Sequence, residues 1–145
     1  MTSQHCGRRA LMVLALWSGM VALVAPVLAQ DPRTSEAQRV AREWLALSDA
    51  GDGKATYTAA SAKFKNALTV EQWEQALTTA RAPYGAVKAR TLTAAQPVLQ
   101  AANMPDGVYV MLLYRTNFAA RDASETVTME REGDGVWRLV GYSIR

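Results

Sequence analysis

Two arginines beside a proline–glycine turn are the first residues in this sequence whose spacing suggests chemistry. Arg81 and Arg90 flank residues 83–85, and Tyr84 lies in the turn between them. Two guanidinium groups placed in this way could hold a carboxylate or a phosphate in a bidentate fork. The simpler interpretation, which we favour, is that Arg81 compensates a helix C-terminus and Arg90 pairs with a surface acid. Arg81, Tyr84 and Arg90 are the candidate ligand-binding residues.

A carboxylate acting with a tyrosine is the second chemistry to consider. Some cone-shaped folds catalyse isomerisation with an aspartate base and a tyrosine that donates to the oxyanion. Glu125 shares a strand face with Val127, but it lies near the start of that strand, where we expect it to reach solvent. Glu130 has a ready partner in Arg138. We therefore assign no catalytic residue and keep a small enzyme using Asp/Glu and Tyr as an alternative.

The first 29 residues have the composition of a secretory signal peptide. Arg8 and Arg9 supply positive charge, residues 10–25 are almost wholly apolar, and Ala29 ends a short Val-Leu-Ala cleavage site. The apolar stretch approaches membrane-spanning length, so an uncleaved anchor is the alternative. Pro26, just before the small-residue site, favours cleavage after Ala29. We expect a periplasmic or secreted protein that keeps no stable membrane anchor after cleavage.

Removal of residues 1–29 also removes side chains that many enzymes depend on. The only cysteine, Cys6, and the only histidine, His5, both lie there, so no Cys–His or Ser–His pair would remain. A zinc site would need carboxylates alone, which is unusual, and the chain has no phosphate-binding glycine loop. We expect no metal site and no cofactor.

The charge balance of the remaining chain bears on its partners. Two of the 16 basic residues lie in the signal segment, which leaves 14 basic against 13 acidic residues and a net charge of +1. A nearly neutral surface without a lysine–arginine cluster argues against nucleic acid as a partner. The remaining 116 residues, after 29 of 145 are removed, suit one domain with a single core.

Helical patterns fill the first half of the mature chain. Residues 30–34 are expected to be a flexible leader, and a capping box at residues 35–38 starts a long helix that ends at Gly51. A weaker helical stretch follows. A second capping box, at residues 69–72, starts a helix that must end near Pro83.

The second half of the chain predicts strands. Residues 87–95 form a first, weakly alternating strand, and residues 108–145 contain three runs rich in β-branched and aromatic residues separated by turn residues. Residues 96–104 show no clear helix or strand pattern, and Pro97 argues against a central strand there. The predicted fold is α+β: N-terminal helices packed on a curved four-stranded antiparallel sheet, in one domain over residues 35–145.

The last hairpin has a register that charges and glycines can decide. A three-residue glycine–aspartate–glycine loop sets Arg131 opposite Trp137 and, further along the same pair of strands, Val127 opposite Gly141. A two-residue loop would instead set Arg131 against Arg138, and like charges in direct opposition are destabilising. We predict the three-residue loop.

Short stretches spread over nearly all of the mature chain carry a family resemblance. The most specific are RAPYG and GYSIR, and the others include WL, DAG, EQW and WR, at residues 81–85, 141–145, 44–45, 49–51, 71–73 and 137–138. With these stretches the chain resembles the bacterial domain of unknown function 4019, a family of small exported proteins with no assigned activity. The element order is also compatible with the cystatin-like cone of the nuclear transport factor 2 superfamily, in which a curved sheet wraps a long helix. That analogy implies a fold and no function.

Two classes of function remain. The first is a non-enzymatic binding or interaction module of the periplasm that recognises a small molecule or a protein, and the second is the Asp/Glu–Tyr enzyme. A cavity containing a buried carboxylate would favour the enzyme. A cone filled by Trp44, Phe64 and Trp73 would favour neither a pocket nor catalysis.

Apolar residues on both faces of two strands predict association. Trp137 and Leu139 alternate with Val140, Tyr142 and Ile144, so one set would cover the helices and the other would be exposed. An exposed apolar patch on a soluble domain usually marks an interaction surface. We expect a two-fold homodimer through the face that carries Val140, Tyr142 and Ile144. The alternative is that residues 96–104 fold across that face.

Overall fold

The computed structural model describes residues 31–98 and 105–145. The expected signal peptide, residue 30 and most of the 96–104 segment lie outside these ranges. Four helices precede four strands, which confirms the predicted α+β class: α1 Pro32–Asp49, α2 Gly53–Thr58, α3 Ala62–Ala67, α4 Val70–Arg81, β1 Val87–Val98, β2 Val108–Phe118, β3 Asp122–Arg131 and β4 Trp137–Ile144.

Helix α1 begins three residues before the expected capping box. Asp31 is the N-cap, and its carboxylate accepts a hydrogen bond from the backbone N–H of Arg33. Pro32 occupies the first helical position, where its missing N–H has no consequence. Ser35 is therefore inside the helix, and residues 32–34 are helical rather than a flexible leader. The predicted stop is confirmed, since Gly51 follows the C-cap with a φ of +75°.

The two short helices and α4 each have a side-chain N-cap. Asp52 caps α2, Ser61 caps α3 and Thr69 caps α4. The predicted capping box at α4 is confirmed: the Thr69 hydroxyl accepts from the Gln72 N–H, and the Gln72 side chain accepts from the Thr69 N–H. The Thr69 cap fixes the start of α4, and Arg81 is the last residue of this helix.

The strands form an antiparallel meander in the order β1-β2-β3-β4. The three-residue hairpin loop is confirmed, because Arg131 pairs with Trp137 and Gly135 has a φ of +81°. A bulge between Thr128 and Met129 then shifts the register, so Val127 faces Tyr142 and not Gly141. Because of this bulge, Tyr142 lies on the sheet face that packs on the helices.

The core between helices and sheet is filled by aromatic rings. Trp44 and Trp73 have ring centroids 6.2 Å apart, and Phe64 lies 4.9 Å from Trp73 in an edge-on arrangement. Both indole N–H groups donate to Thr56, to its carbonyl oxygen at 3.0 Å and to its hydroxyl at 2.9 Å. The part of the interior around these three rings is thus occupied by packed side chains.

Within residues 31–98 and 105–145, none of the helices is both long and apolar enough to cross a membrane.

Candidate functional site

The two predicted arginines meet on one carboxylate. The turn after α4 reverses the chain at Gly85, whose φ is +76°, so that Arg90 on β1 returns beside Arg81. The Arg81 Nη2 lies 2.7 Å from Asp49 Oδ1. Arg90 binds Asp49 in a fork, with Nη1 2.7 Å from Oδ2 and Nη2 2.9 Å from Oδ1. Asp49 ends α1, so this contact ties α1, α4 and β1 together.

A second carboxylate, Glu125, lies behind the first and is fully buried. Its Oε2 accepts from Arg90 Nε at 2.7 Å and from the Thr116 hydroxyl, and its Oε1 accepts from the Tyr142 hydroxyl at 2.6 Å and from Arg81 Nη1 at 3.4 Å. Each oxygen therefore has two donors, which is the full capacity of a carboxylate. We call Asp49, Arg81, Arg90 and Glu125 the ion cluster.

The ion cluster is electrically neutral, with two guanidinium groups and two carboxylates. Burial opposes the charged form of Arg90, but hydrogen bonds to Asp49 and Glu125 raise the pKa of its guanidinium above the ordinary value. Burial and the adjacent charge of Glu125 raise the pKa of the Tyr142 hydroxyl, against the opposing effect of Arg81. Tyr142 is therefore held as a neutral hydrogen-bond donor.

The structure thus brings Arg81 and Arg90 together, although each is engaged with acids of the protein itself. Arg90 pairs with a surface acid, Asp49, as expected, but it also binds Glu125, which has no exposed surface. The expectation that Glu125 reaches solvent was wrong. The signal that could have corrected it was in the sequence, because Glu125 alternates with Val127 and Met129, and both are fully buried.

Tyr84 is placed away from the ion cluster. Its ring is buried, lies 5.3 Å from the ring of Phe118, and is covered by the Arg121 guanidinium at 4.4 Å. It belongs to a small satellite cluster with Ala123. In this arrangement Tyr84 packs beneath the turn and does not contribute to the site formed by the two arginines.

The three predicted interface residues do not share one outer face. Tyr142 packs on Trp44 at 5.2 Å between centroids and bonds Glu125, and Ile144 packs on the Tyr84 satellite cluster. Val140 lines a cleft together with Tyr142. The physical reason is the bulge at Val140 in β4, which interrupts the simple alternation from which the face was predicted.

Concave regions of the described structure lie beside these residues. A cleft of about 1070 Å³ lies between α3, α4 and β4, and we call it the aromatic cleft. A cavity of about 590 Å³ lies against α4 and Asp49. A third cavity, of about 340 Å³, lies between α1 and β1–β2, and we call it the α1 cavity. Residues that line the aromatic cleft are Lys63, Phe64, Asn66, Ala67, Leu68, Gln72, Trp73, Ala76, Pro105, Val140, Gly141 and Tyr142.

In the part of the chain that the structure describes, no group of three or more His, Cys, Asp or Glu residues is arranged to hold a metal ion.

Comparison with known proteins identifies one family. The family described as a protein of unknown function, DUF4019, has a model that matches residues 40–142. This match includes every residue of the ion cluster and every residue that lines the aromatic cleft. No curated protein and no solved structure shows a significant match.

Proposed function

This chain belongs to the DUF4019 family, and we propose that it is a non-enzymatic ligand-binding module of the periplasm. The observation that carries the proposal is the aromatic cleft. Its volume of about 1070 Å³ is slightly above the usual range for small-molecule sites, which runs from about 300 to 1,000 Å³.

The chemistry of the cleft favours an uncharged aromatic or apolar ligand. Trp73 and Tyr142 line it, and their polar atoms are already bonded to Thr56 and Glu125, so carbon surface is what these rings offer. The only cation among the lining residues, Lys63, is paired with Glu130. The lining therefore has little charge with which to attract an ion.

The state of Glu125 supports a binding function over the Asp/Glu–Tyr enzyme. A general base must reach the proton that it removes, directly or through one water. Glu125 has four donors on its two oxygens and no exposed surface, and Tyr142 donates to it. A buried carboxylate and a tyrosine are present, but they bind each other and two arginines.

The location in the proposal rests on the sequence of residues 1–29, with its arginine pair, apolar run and small-residue site. We expect protein recovered from the periplasm to begin at Gln30. Intact mass measures this directly. A product in the membrane fraction that retains residues 1–29 would identify an anchor instead.

Titration of residues 30–145 with the uncharged fluorophore N-phenyl-1-naphthylamine tests the cleft. We expect saturable fluorescence enhancement with quenching of tryptophan emission. Ala76 is exposed on α4 and lines the cleft, so Ala76→Trp should fill it and weaken binding by at least about tenfold without disturbing the core.

The matched control is Ala80→Trp, the same change one turn further along α4 and also exposed, at a position that does not line the cleft. Its affinity should equal that of the unmodified chain. Equal affinity in the Ala76→Trp variant, or no saturable signal at all, would refute the cleft as the binding site.

A further inference from the structure

Tyr114 carries a buried hydroxyl with no hydrogen-bond partner in the described part of the protein. The residue lies on β2, is 5% exposed and lines the α1 cavity. A buried hydroxyl without a partner lowers stability, and in native proteins such a group usually has a ligand, a water or a functional role. Burial raises the pKa of this hydroxyl, so it stays protonated and can donate a hydrogen bond.

Arg42 gives the same cavity a positive charge that the described residues leave uncompensated. It lies on α1, is exposed and lines the cavity, and it forms no ion pair in the described ranges. Its neighbour on the helix, Arg39, is paired with Glu43 at 2.7 Å. Because the ion cluster sums to zero, Arg42 leaves the cavity with a net charge of about +1.

Arg90 completes the polar end of the cavity. Its guanidinium has five N–H donors, and Asp49 and Glu125 use three of them. Two donors therefore remain on a side chain that hydrogen bonds already hold in place. A pre-positioned guanidinium loses little freedom when it binds an acceptor, which favours recognition of a planar anion.

Apart from Asp49, whose carboxylate is bound by Arg81 and Arg90, the rest of the lining is apolar. It consists of Leu45, Ala46 and Leu92, and the volume of about 340 Å³ is small for a ligand site. A ligand that matches both ends has one negative charge, acceptors in a plane and a short hydrocarbon part. We propose that the α1 cavity binds a short-chain monocarboxylate, with its carboxylate held by Arg42, Arg90 and the Tyr114 hydroxyl.

Titration of the ¹⁵N-labelled chain of residues 30–145 with sodium butyrate tests this proposal by nuclear magnetic resonance. We expect saturable shifts of the Arg90 Nε–H resonance and of amides around Leu45 and Leu92. Butan-1-ol has the hydrocarbon part without the charge, and inorganic phosphate has charge without the hydrocarbon part. Equal binding of either compound would overturn the proposal, as would the absence of saturable shifts with butyrate.

Two variants separate recognition from folding. Arg42→Gln removes the charge of an exposed side chain, so it should leave the melting temperature unchanged and weaken butyrate binding at least about tenfold. Tyr114→Phe removes only the unpaired hydroxyl. It should weaken binding about fivefold while the melting temperature stays the same or rises.

Arg39→Gln is the matched control, because it makes the same change on α1 at a residue outside the cavity. Butyrate binding in this variant should equal that of the unmodified chain. Wild-type affinity in Arg42→Gln, or a lower melting temperature in Tyr114→Phe, would refute the assignment. The aromatic cleft is tested with an uncharged fluorophore and the Ala76→Trp variant. The cleft proposal and the butyrate proposal can therefore fail independently.

Discussion

At the scale of single residues, Glu125 accepts more side-chain hydrogen bonds than any other residue in the described part of the chain. It has no exposed surface and accepts from two arginines, a threonine and a tyrosine. Burying a carboxylate is unfavourable unless its charge is paired and its oxygens have donors. Here both conditions are met, so the cost appears only when one member of the set is removed.

Replacement of Glu125 by glutamine should therefore destabilise the fold strongly. The Glu125→Gln variant leaves two largely buried guanidinium groups against one carboxylate, and breaking a buried ion pair in this way costs about 3–5 kcal/mol. Denaturation by urea measures the change in the free energy of unfolding.

The same substitution at Glu43 is the control, because the Arg39–Glu43 pair is exposed, with side chains 55% and 64% accessible. Glu43→Gln should change the free energy of unfolding by no more than about 0.5 kcal/mol. A second Arg81→Gln change should be strongly non-additive with Glu125→Gln. Additive effects would mean that Arg81 and Glu125 are not coupled.

At the scale of elements, α2 and α3 were predicted only as one weaker helical stretch, whereas the sequence predicted α1, α4 and the last hairpin. Each rests on a local signal: the capping box of Thr69 and Gln72, the break at Gly51, and the glycines of the hairpin loop. The start of α1 was misplaced because Asp31 and Pro32 are an equally good N-terminal signal four residues earlier.

The bulge was not predicted, and the error at Tyr142 follows from it. Gly141 was the one available signal, since a glycine inside a strand often marks a bulge. The ion cluster was predicted only in part. The spacing of Arg81 and Arg90 around the turn indicated a pair, but Asp49 is 41 residues from Arg90 and meets it only when the whole domain folds.

At the scale of the whole molecule, the homodimer stays a prediction. Met111 and Leu113 alternate with the core residues Val110 and Leu112, so they lie on the sheet face away from the helices, and both are half-buried. Tyr142, which was predicted to lie in the dimer interface, packs on the helix side of the sheet. A substitution of Tyr142 would therefore not test the dimer.

Light scattering of residues 30–145 should give twice the chain mass at high micromolar concentration. Leu113→Glu places a charge in the centre of this face and should shift the protein to the monomer mass. Val136→Glu adds the same charge at the exposed hairpin and should have no effect. A monomer at every concentration would favour residues 96–104 as the cover of this face.

Both edge strands of the sheet, β1 and β4, are protected against pairing with further strands. On β4, the Ser61 N–H donates to the Leu139 carbonyl at 2.7 Å, so the link between α2 and α3 covers the edge of the strand at this residue. On β1, Pro97 has no N–H to offer and Lys88 adds an exposed charge. Neither edge strand offers an uninterrupted row of backbone groups for pairing with another chain. We therefore expect the folded protein to resist fibril-like polymerisation, even if it dimerises through a sheet face.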